Sequence, residues 1–123
     1  MKKILAFVLV TVMLAACLVA CGDGKGGDKV LKIGIFEPAS GANGAGGKQE
    51  SLGIKYANSV QPTVEIDGET YKVELVEVDN QSADDKASTA ASELVNKGVS
   101  VVLGSYGSSV SIAASPVFKE AGI

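Results

Sequence analysis

Apolar residues in this chain fall into short β-rich runs separated by longer stretches in which they recur every three or four positions, and the alternation repeats three times. Val30 to Phe36 (VLKIGIF) is the first run; it meets a glycine-rich turn from Glu37 to Gly47 and reads as a buried strand. Lys48 to Val60 places Leu52, Tyr56 and Val60 four apart, with Gly53 and Ala57 beside them. That spacing predicts a helix burying this stripe, terminated by Pro62. Val73, Leu75, Val76 and Val78 make a second strand within Tyr71 to Val78, and Asp67-Gly68 is a turn pair through which Thr63 to Ile66 would pair with it as a hairpin. A second helix is expected after Ser82 as its cap, with Asp84 and Asp85 in a first turn whose dipole favours them. Ala87, Ala90, Ala91, Leu94 and Val95 form its apolar face, and Gly98 is its stop. Val99 to Gly104 is a third strand. Ser108 to Ala121 is a third helix, in which Pro116 removes a hydrogen bond and crowds the carbonyl of Ile112.

The order βαβαβα specifies an α/β fold, a doubly wound and mostly parallel sheet with helices on both faces. In such a sheet the first strand lies between the second and third, so a crevice opens at their carboxyl ends. Glu37 to Gly47 (EPASGANGAGG) and Ser105 to Ser109 (SYGSS) are the loops that border it. Glycines in the first loop let backbone approach a ligand, and the second loop opens a helix whose free N–H groups favour a negative group. Ser108 and Ser109 add hydroxyls there. Ser108 either grips a ligand carboxylate or is a plain helix cap. Glu37 either faces the crevice or is a solvated strand end.

The first 20 residues have another character. Lys2 and Lys3 precede an apolar run from Ile4 to Ala16 broken only by Thr11, and small residues lead to a cysteine, as in a secretion signal. Leu18-Val19-Ala20-Cys21 resembles the lipobox of bacterial lipoproteins, which implies lipidation of Cys21 and cleavage before it. Leu14-Ala15-Ala16-Cys17 fits the same box. Cys21 is preferred because Gly22 to Asp28 (GDGKGGD) then forms a solvated tether, whereas a cut at Cys17 leaves Leu18 and Val19 on the mature terminus. The other reading of this segment is an uncleaved membrane anchor. Residues 1–20 are thus expected to be a lipoprotein signal peptide, 21–29 the lipidated cysteine and tether, and 30–123 the folded part.

Composition narrows the chemistry. From Cys21 onward there are 9 Lys against 14 Asp plus Glu and no Arg or His, so nucleic acid is not an expected partner. Both cysteines lie in the signal region; with no His and no thiol beyond Cys21, neither a His-containing triad nor a thiol nucleophile can be built. The glycine loop gives no GxGxxG, and Ala42 to Gln49 (ANGAGGKQ) lacks the first glycine and the Ser/Thr of a P-loop. No cofactor is expected, and Asp84 and Asp85 read as dipole partners rather than metal ligands. The end at Ala121-Gly122-Ile123, where Gly closes a helix and Ile would open a strand, is the pattern of a shortened chain.

Leu31 to Gly41 (LKIGIFEPASG), Gln49-Glu50 with Gly53 to Ala57, Tyr71 to Asp79 (YKVELVEVD), Leu94 to Gly104 (LVNKGVSVVLG) and Ile112 to Ile123 (IAASPVFKEAGI) resemble the branched-chain amino acid ABC-transporter substrate-binding proteins. The resemblance implies two doubly wound lobes that close about a hinge over an amino acid, periplasmic binding proteins being a standing example of hinge closure. Residues 30–123 would then be the N-terminal part of the first lobe, roughly the first third of the protein. Ser108 matches a serine that grips the ligand carboxylate, and Tyr106 a position whose backbone carbonyl takes the ammonium. Gly46 stands where the family carries an aromatic residue over the ligand side chain. The implied protein is not an enzyme. It is a lipid-anchored monomer, when full length, on the outer face of the bacterial membrane or its periplasmic side, and hands its ligand to ABC permease subunits. The rival readings are a ligand-binding sensor of the same fold and an exported lipoprotein enzyme.

Overall fold

The computed structural model describes residues 29–123; the signal segment, Cys17, Cys21 and the tether up to Asp28 lie outside them. The chain forms β1 (Val30–Ile35), α1 (Gly44–Val60), β2 (Thr63–Ile66), β3 (Glu69–Glu77), α2 (Asp84–Asn96), β4 (Val101–Leu103) and α3 (Ser108–Ala121). The sheet order is β2-β3-β1-β4. β1 therefore lies between β3 and β4 and pairs with both in parallel, as the doubly wound reading requires.

One departure from a parallel sheet is the edge strand. β2 pairs antiparallel with β3, with Ile66 opposite Glu69, so the sheet is mixed and has four strands among the described residues. Asp67 (φ 53°) and Gly68 (φ 78°) both adopt positive φ, the conformation that lets a two-residue turn follow the strand twist.

Register assigns each face. Gly34 stands opposite Val76 and Val102 and points to the side where α2 and α3 pack; a Cβ on it would lie 3.2 Å from Leu94 Cδ1, so its bare Cα admits Leu94 against the sheet. Phe36, Val78, Ala87, Ala90, Ala91, Leu94, Val99, Val110 and Ala114 form the core there. The rings of Phe36 and Phe118 meet edge to face, with centroids 5.4 Å apart. The α2 face predicted from spacing is thus the one that is buried. α3 runs through Pro116, and the Ser115 hydroxyl donates to the Ile112 carbonyl (2.9 Å) whose helical partner the proline removes. Gly122, at φ 74°, closes α3, and the Ile123 N–H returns to the Phe118 carbonyl (2.9 Å).

The opposite face is thinly covered. Ile33, Val73, Leu75 and Leu103 line an open groove of about 420 Å³ beneath Gly53, Ile54, Ala57 and Asn58 of α1. The stripe expected to be buried is on the outside, with Leu52 and Val60 each 65% and Tyr56 71% exposed. Apolar residues at 52, 54, 56, 57 and 60 encircle much of this helix, so spacing alone leaves its rotation open. The first turn fixes it: α1 begins at Gly44, four residues before the predicted start, with Gly44 and Gly47 buried, and a Cβ on Gly47 would collide with Pro38. Glycine disfavours a helix interior by about 1 kcal/mol, but close packing permits nothing larger here.

These two faces predict different sensitivities. Leu94→Ala should destabilise the fold by about 2–5 kcal/mol, because it opens a cavity between α2 and the sheet. Leu52→Ala should stay within about 0.5 kcal/mol among the described contacts. Urea denaturation midpoints of the two variants check this.

Candidate functional site

The carboxyl ends of β1, β3 and β4 are tied together by side chains that follow the strands. Asn80, fully buried just past β3, donates from Nδ2 to the Phe36 carbonyl (2.8 Å) and to Ser105 Oγ (2.9 Å), and its Oδ1 accepts the Ser82 N–H (3.1 Å). One amide therefore links the exits of all three parallel strands. Asp79 holds the glycine loop: its carboxylate accepts the N–H groups of Ala39 (2.8 Å) and Ser40 (3.3 Å), the Ser40 hydroxyl (2.6 Å) and the Gln81 N–H (2.8 Å). Burial by itself would raise the Asp79 pKa, but these four donors outweigh it and hold the carboxyl below its usual range.

Ser82 does not cap α2. Ala83 occupies the N-cap position, and Ser82, at φ 56°, turns its hydroxyl to the glycine loop, donating to the Ser40 carbonyl (3.0 Å) and accepting the Asn43 N–H (2.9 Å). The loop requires that closeness: Gly41, at φ 76°, lies against the Gln81 carbonyl, where a Cβ would overlap it. Asp84 and Asp85 are in the first turn of α2, as expected from the dipole, and among the described residues no His, Cys, Asp or Glu cluster is arranged to hold a metal.

Across the crevice, the loop after β4 is shaped by Ser105 and Ser111. The Ser105 N–H donates to Ser111 Oγ (3.0 Å), and the Gly107 N–H to Ser105 Oγ (3.3 Å). Gly107 is the N-cap of α3, no side chain among the described residues caps that helix, and Ser108 and Ser109 are its first two residues, both exposed. The plain-cap reading of Ser108 is therefore set aside, since Gly107 and not Ser108 holds the N-cap position. Tyr106 precedes them with its ring over Gly46 on α1, so two of the residues singled out from sequence meet across the crevice.

Glu37, left between crevice and solvent by its sequence, is only 3% exposed and turns inward. Its Oε2 accepts the Tyr106 N–H at 2.7 Å, which ties the end of β1 to the loop carrying Ser108. Burial pushes its carboxyl up to about 7, against the Tyr106 hydrogen bond that lowers it, and the nearby Glu50 carboxylate raises it further. Asn80, Asp79, Ser105 and Ser111 were not singled out from sequence. For Asp79, Asn80 and Ser105 the available signal was polar residues shortly after strands that end at a topological switch point; Ser111, inside α3, carried none.

A family model described as periplasmic binding protein matches residues 30–123. A leucine binding protein, LivK, from Thermotoga maritima is 32% identical with a TM-score of 0.64, covering 74% of this chain and 25% of that one. The branched-chain amino acid transporter substrate binding protein LivJ from Streptococcus pneumoniae, solved with isoleucine, is 30% identical with a TM-score of 0.66, covering 77% and 27%. A solute binding protein of an ABC transporter from R. palustris, solved with benzoate, is 28% identical with a TM-score of 0.64, covering 76% and 26%. A search of curated proteins gives no match. Two tethered loops meet at the switch point of the sheet, the place where open α/β folds take their ligands. The chain belongs to the periplasmic binding protein family, and spans about a quarter of the length of the solved structures it matches.

The raised pKa of Glu37 carries a pH signature. An acid whose folded pKa exceeds its unfolded value leaves stability unaffected below the unfolded pKa, near 4.5, and reduces it as pH climbs toward about 7, where the reduction levels off. Glu37→Gln keeps an acceptor for the Tyr106 N–H and cannot ionise. Its melting temperature should match wild type at pH about 4.5 and exceed it at pH about 8. Melting curves across that range check the expectation.

Proposed function

We propose that this chain supplies part of one lobe of an extracytoplasmic solute-binding protein that captures an amino acid or related small carboxylate for an ABC importer. The observation that carries this reading is the uncapped start of α3, with Ser108 and Ser109 exposed at the crevice while Ser105 and Ser111 hold the loop beneath them. Free helix amides and a hydroxyl make a ready cradle for a carboxylate. Family membership and the relatives solved with isoleucine and benzoate support a small carboxylate as the ligand class. Tyr106 contributes its backbone carbonyl to a ligand ammonium, and a second lobe closes over the ligand. The protein performs no chemistry on its ligand; it binds, closes and hands over to the permease.

Ser108→Ala tests the cradle. Losing one charge-assisted hydrogen bond should weaken ligand binding by about 1.5–3 kcal/mol in the full-length protein, with little change in melting because Ser108 makes no cap bond. Ser92→Ala, which removes an exposed bond within α2 (Ser92 Oγ to the Ser88 carbonyl, 2.9 Å), is the control and should leave affinity unchanged. Titration calorimetry with isoleucine and benzoate reads both; wild-type affinity in Ser108→Ala removes the serine from the site.

The same reading includes a membrane tether through a lipidated Cys21, with Gly22 to Asp28 as the spacer. Fatty-acid labelling in cells should be abolished by Cys21→Ala and retained by Cys17→Ala. The reverse pattern moves the lipidation site to Cys17.

A further inference from the structure

The Glu37 carboxyl is buried at the end of β1 with no lysine to neutralise it; the ion pairs among the described residues are Lys29–Glu69, Lys55–Glu77, Lys86–Asp85 and Lys97–Glu93. Its Oε2 accepts the Tyr106 N–H at 2.7 Å, and Gly104 clears room for Oε1, since a Cβ there would stand 2.5 Å from it. The third neighbour is another acid. Glu50, in the second turn of α1, brings its carboxyl group within hydrogen-bonding reach of Glu37. A buried carboxylate with one amide donor and a second carboxylate beside it carries both a desolvation cost and a repulsion, and a proton held between the two acids removes both. The neutral acid still accepts the Tyr106 N–H through one oxygen and donates from the other to Glu50.

The other elements at this end of the sheet leave the pair to itself. Asp79, at the exit of β3, is taken up by the glycine loop and the Gln81 N–H. α2 opens on Asp84, Asp85 and Lys86, of which the last two pair with each other, and α3 keeps its charges, Lys119 and Glu120, at its far end. The Tyr106 phenol ring lies over Gly46. Of these groups, Glu50 alone acts on Glu37 by its charge. α1 is also the helix for which such a bond matters, because it stands over an open groove and its other side-chain link to the sheet among the described residues is the exposed Lys55–Glu77 pair, which water screens.

We propose that Glu37 and Glu50 share one proton and form a latch, closed in acid, that fastens the second turn of α1 to the end of β1 and, through Tyr106, to the loop that opens α3. Opening is a proton transfer alone: the Glu37 O–H gives its proton to water, its bond to Glu50 is lost, and two like charges then stand side by side. The closed latch holds the proton more tightly than the open one, with a pKa of about 7 against 4.5 for a free glutamate. It is therefore fully closed below pH about 4.5, weakens as pH rises, and levels off above about 7. The latch is independent of what the crevice binds.

Hydrogen exchange of the ligand-free, full-length protein tests it, read between pH about 4.5 and 8.5 as protection factors, which divide out the intrinsic pH dependence of exchange. Peptides from residues 44–60 report on α1, and peptides from 84–96 report on global unfolding. Glu37→Gln mimics the protonated acid, since its amide accepts from Tyr106 and donates to Glu50 at every pH. Protection of α1 should be alike in wild type and Glu37→Gln at the acid end, and lower in wild type at the basic end by up to on the order of a hundredfold. At the basic end wild-type α1 should also be less protected than α2, as local release requires. Glu50→Ala, which removes the acceptor and the like charge together, should lower α1 protection in acid and flatten its pH dependence. Parallel wild-type and Glu37→Gln profiles overturn the shared proton. Unchanged acid-end protection in Glu50→Ala overturns the pairing, and equal protection of α1 and α2 at the basic end overturns the local release. Should Glu37→Gln not fold, wild type against Glu50→Ala still decides, because only the latch gives the former the steeper profile. Solute binding is read separately by Ser108→Ala, so neither result stands in for the other.

Discussion

The crevice depends on one side-chain amide. Asn80 is fully buried, and its hydrogen bonds to the Phe36 carbonyl, Ser105 Oγ and the Ser82 N–H join the exits of three strands just beyond the last backbone bonds between them, Phe36 N–H to the Leu103 carbonyl and Val78 N–H to the Ile35 carbonyl. Inside a protein an unpaired amide costs free energy, so each of these partners is held as firmly as it holds Asn80. The loops that wall the site inherit this constraint. Ser105 is placed by Asn80, 25 positions earlier, and in turn receives the Gly107 N–H at the start of α3, so the orientation of Ser108 follows from a residue on the far side of α2 and β4.

Around this link the glycine loop is shaped by contact. Asp79 gathers four donors, Ser82 takes the Asn43 N–H, and Gly41 and Gly47 are pressed against backbone or proline. Glycine here supplies clearance more than flexibility: Gly47 lets α1 start close to Pro38, and Gly46 lets the Tyr106 ring come up against the helix. Glu37 completes the arrangement from below. Burial raises its pKa to about 7 and the neighbouring Glu50 adds to the rise, against the bond from the Tyr106 amide that lowers it.

The two faces of the sheet divide stability from access. α2 and α3 close one face around Leu94, Phe36 and Val110, whereas α1 stands over an open groove on the other and carries Leu52, Tyr56 and Val60 outward. The candidate site lies at the end of the sheet between these halves, with one loop leading into the loosely seated helix and the other into a firmly packed one.

The strands, their order, the hairpin about Asp67-Gly68 and the buried face of α2 were determined by sequence alone, because alternation and i, i+3, i+4 spacing report directly on which side chains leave water. The expectation of a crevice between the two loops rested on strand order. The start and rotation of α1 did not, since glycines weaken any local helix signal and apolar residues on several sides of the helix give no single face. Ser82, read locally as a cap, was drawn by the fold to a loop some forty residues earlier. The roles of Asn80 and Asp79, the inward turn of Glu37 and the seating of Tyr106 on Gly46 were likewise decided only by tertiary structure. Each is a contact between segments far apart in the chain, brought together when parallel crossovers align the strand ends, and no periodicity along a single segment encodes that meeting.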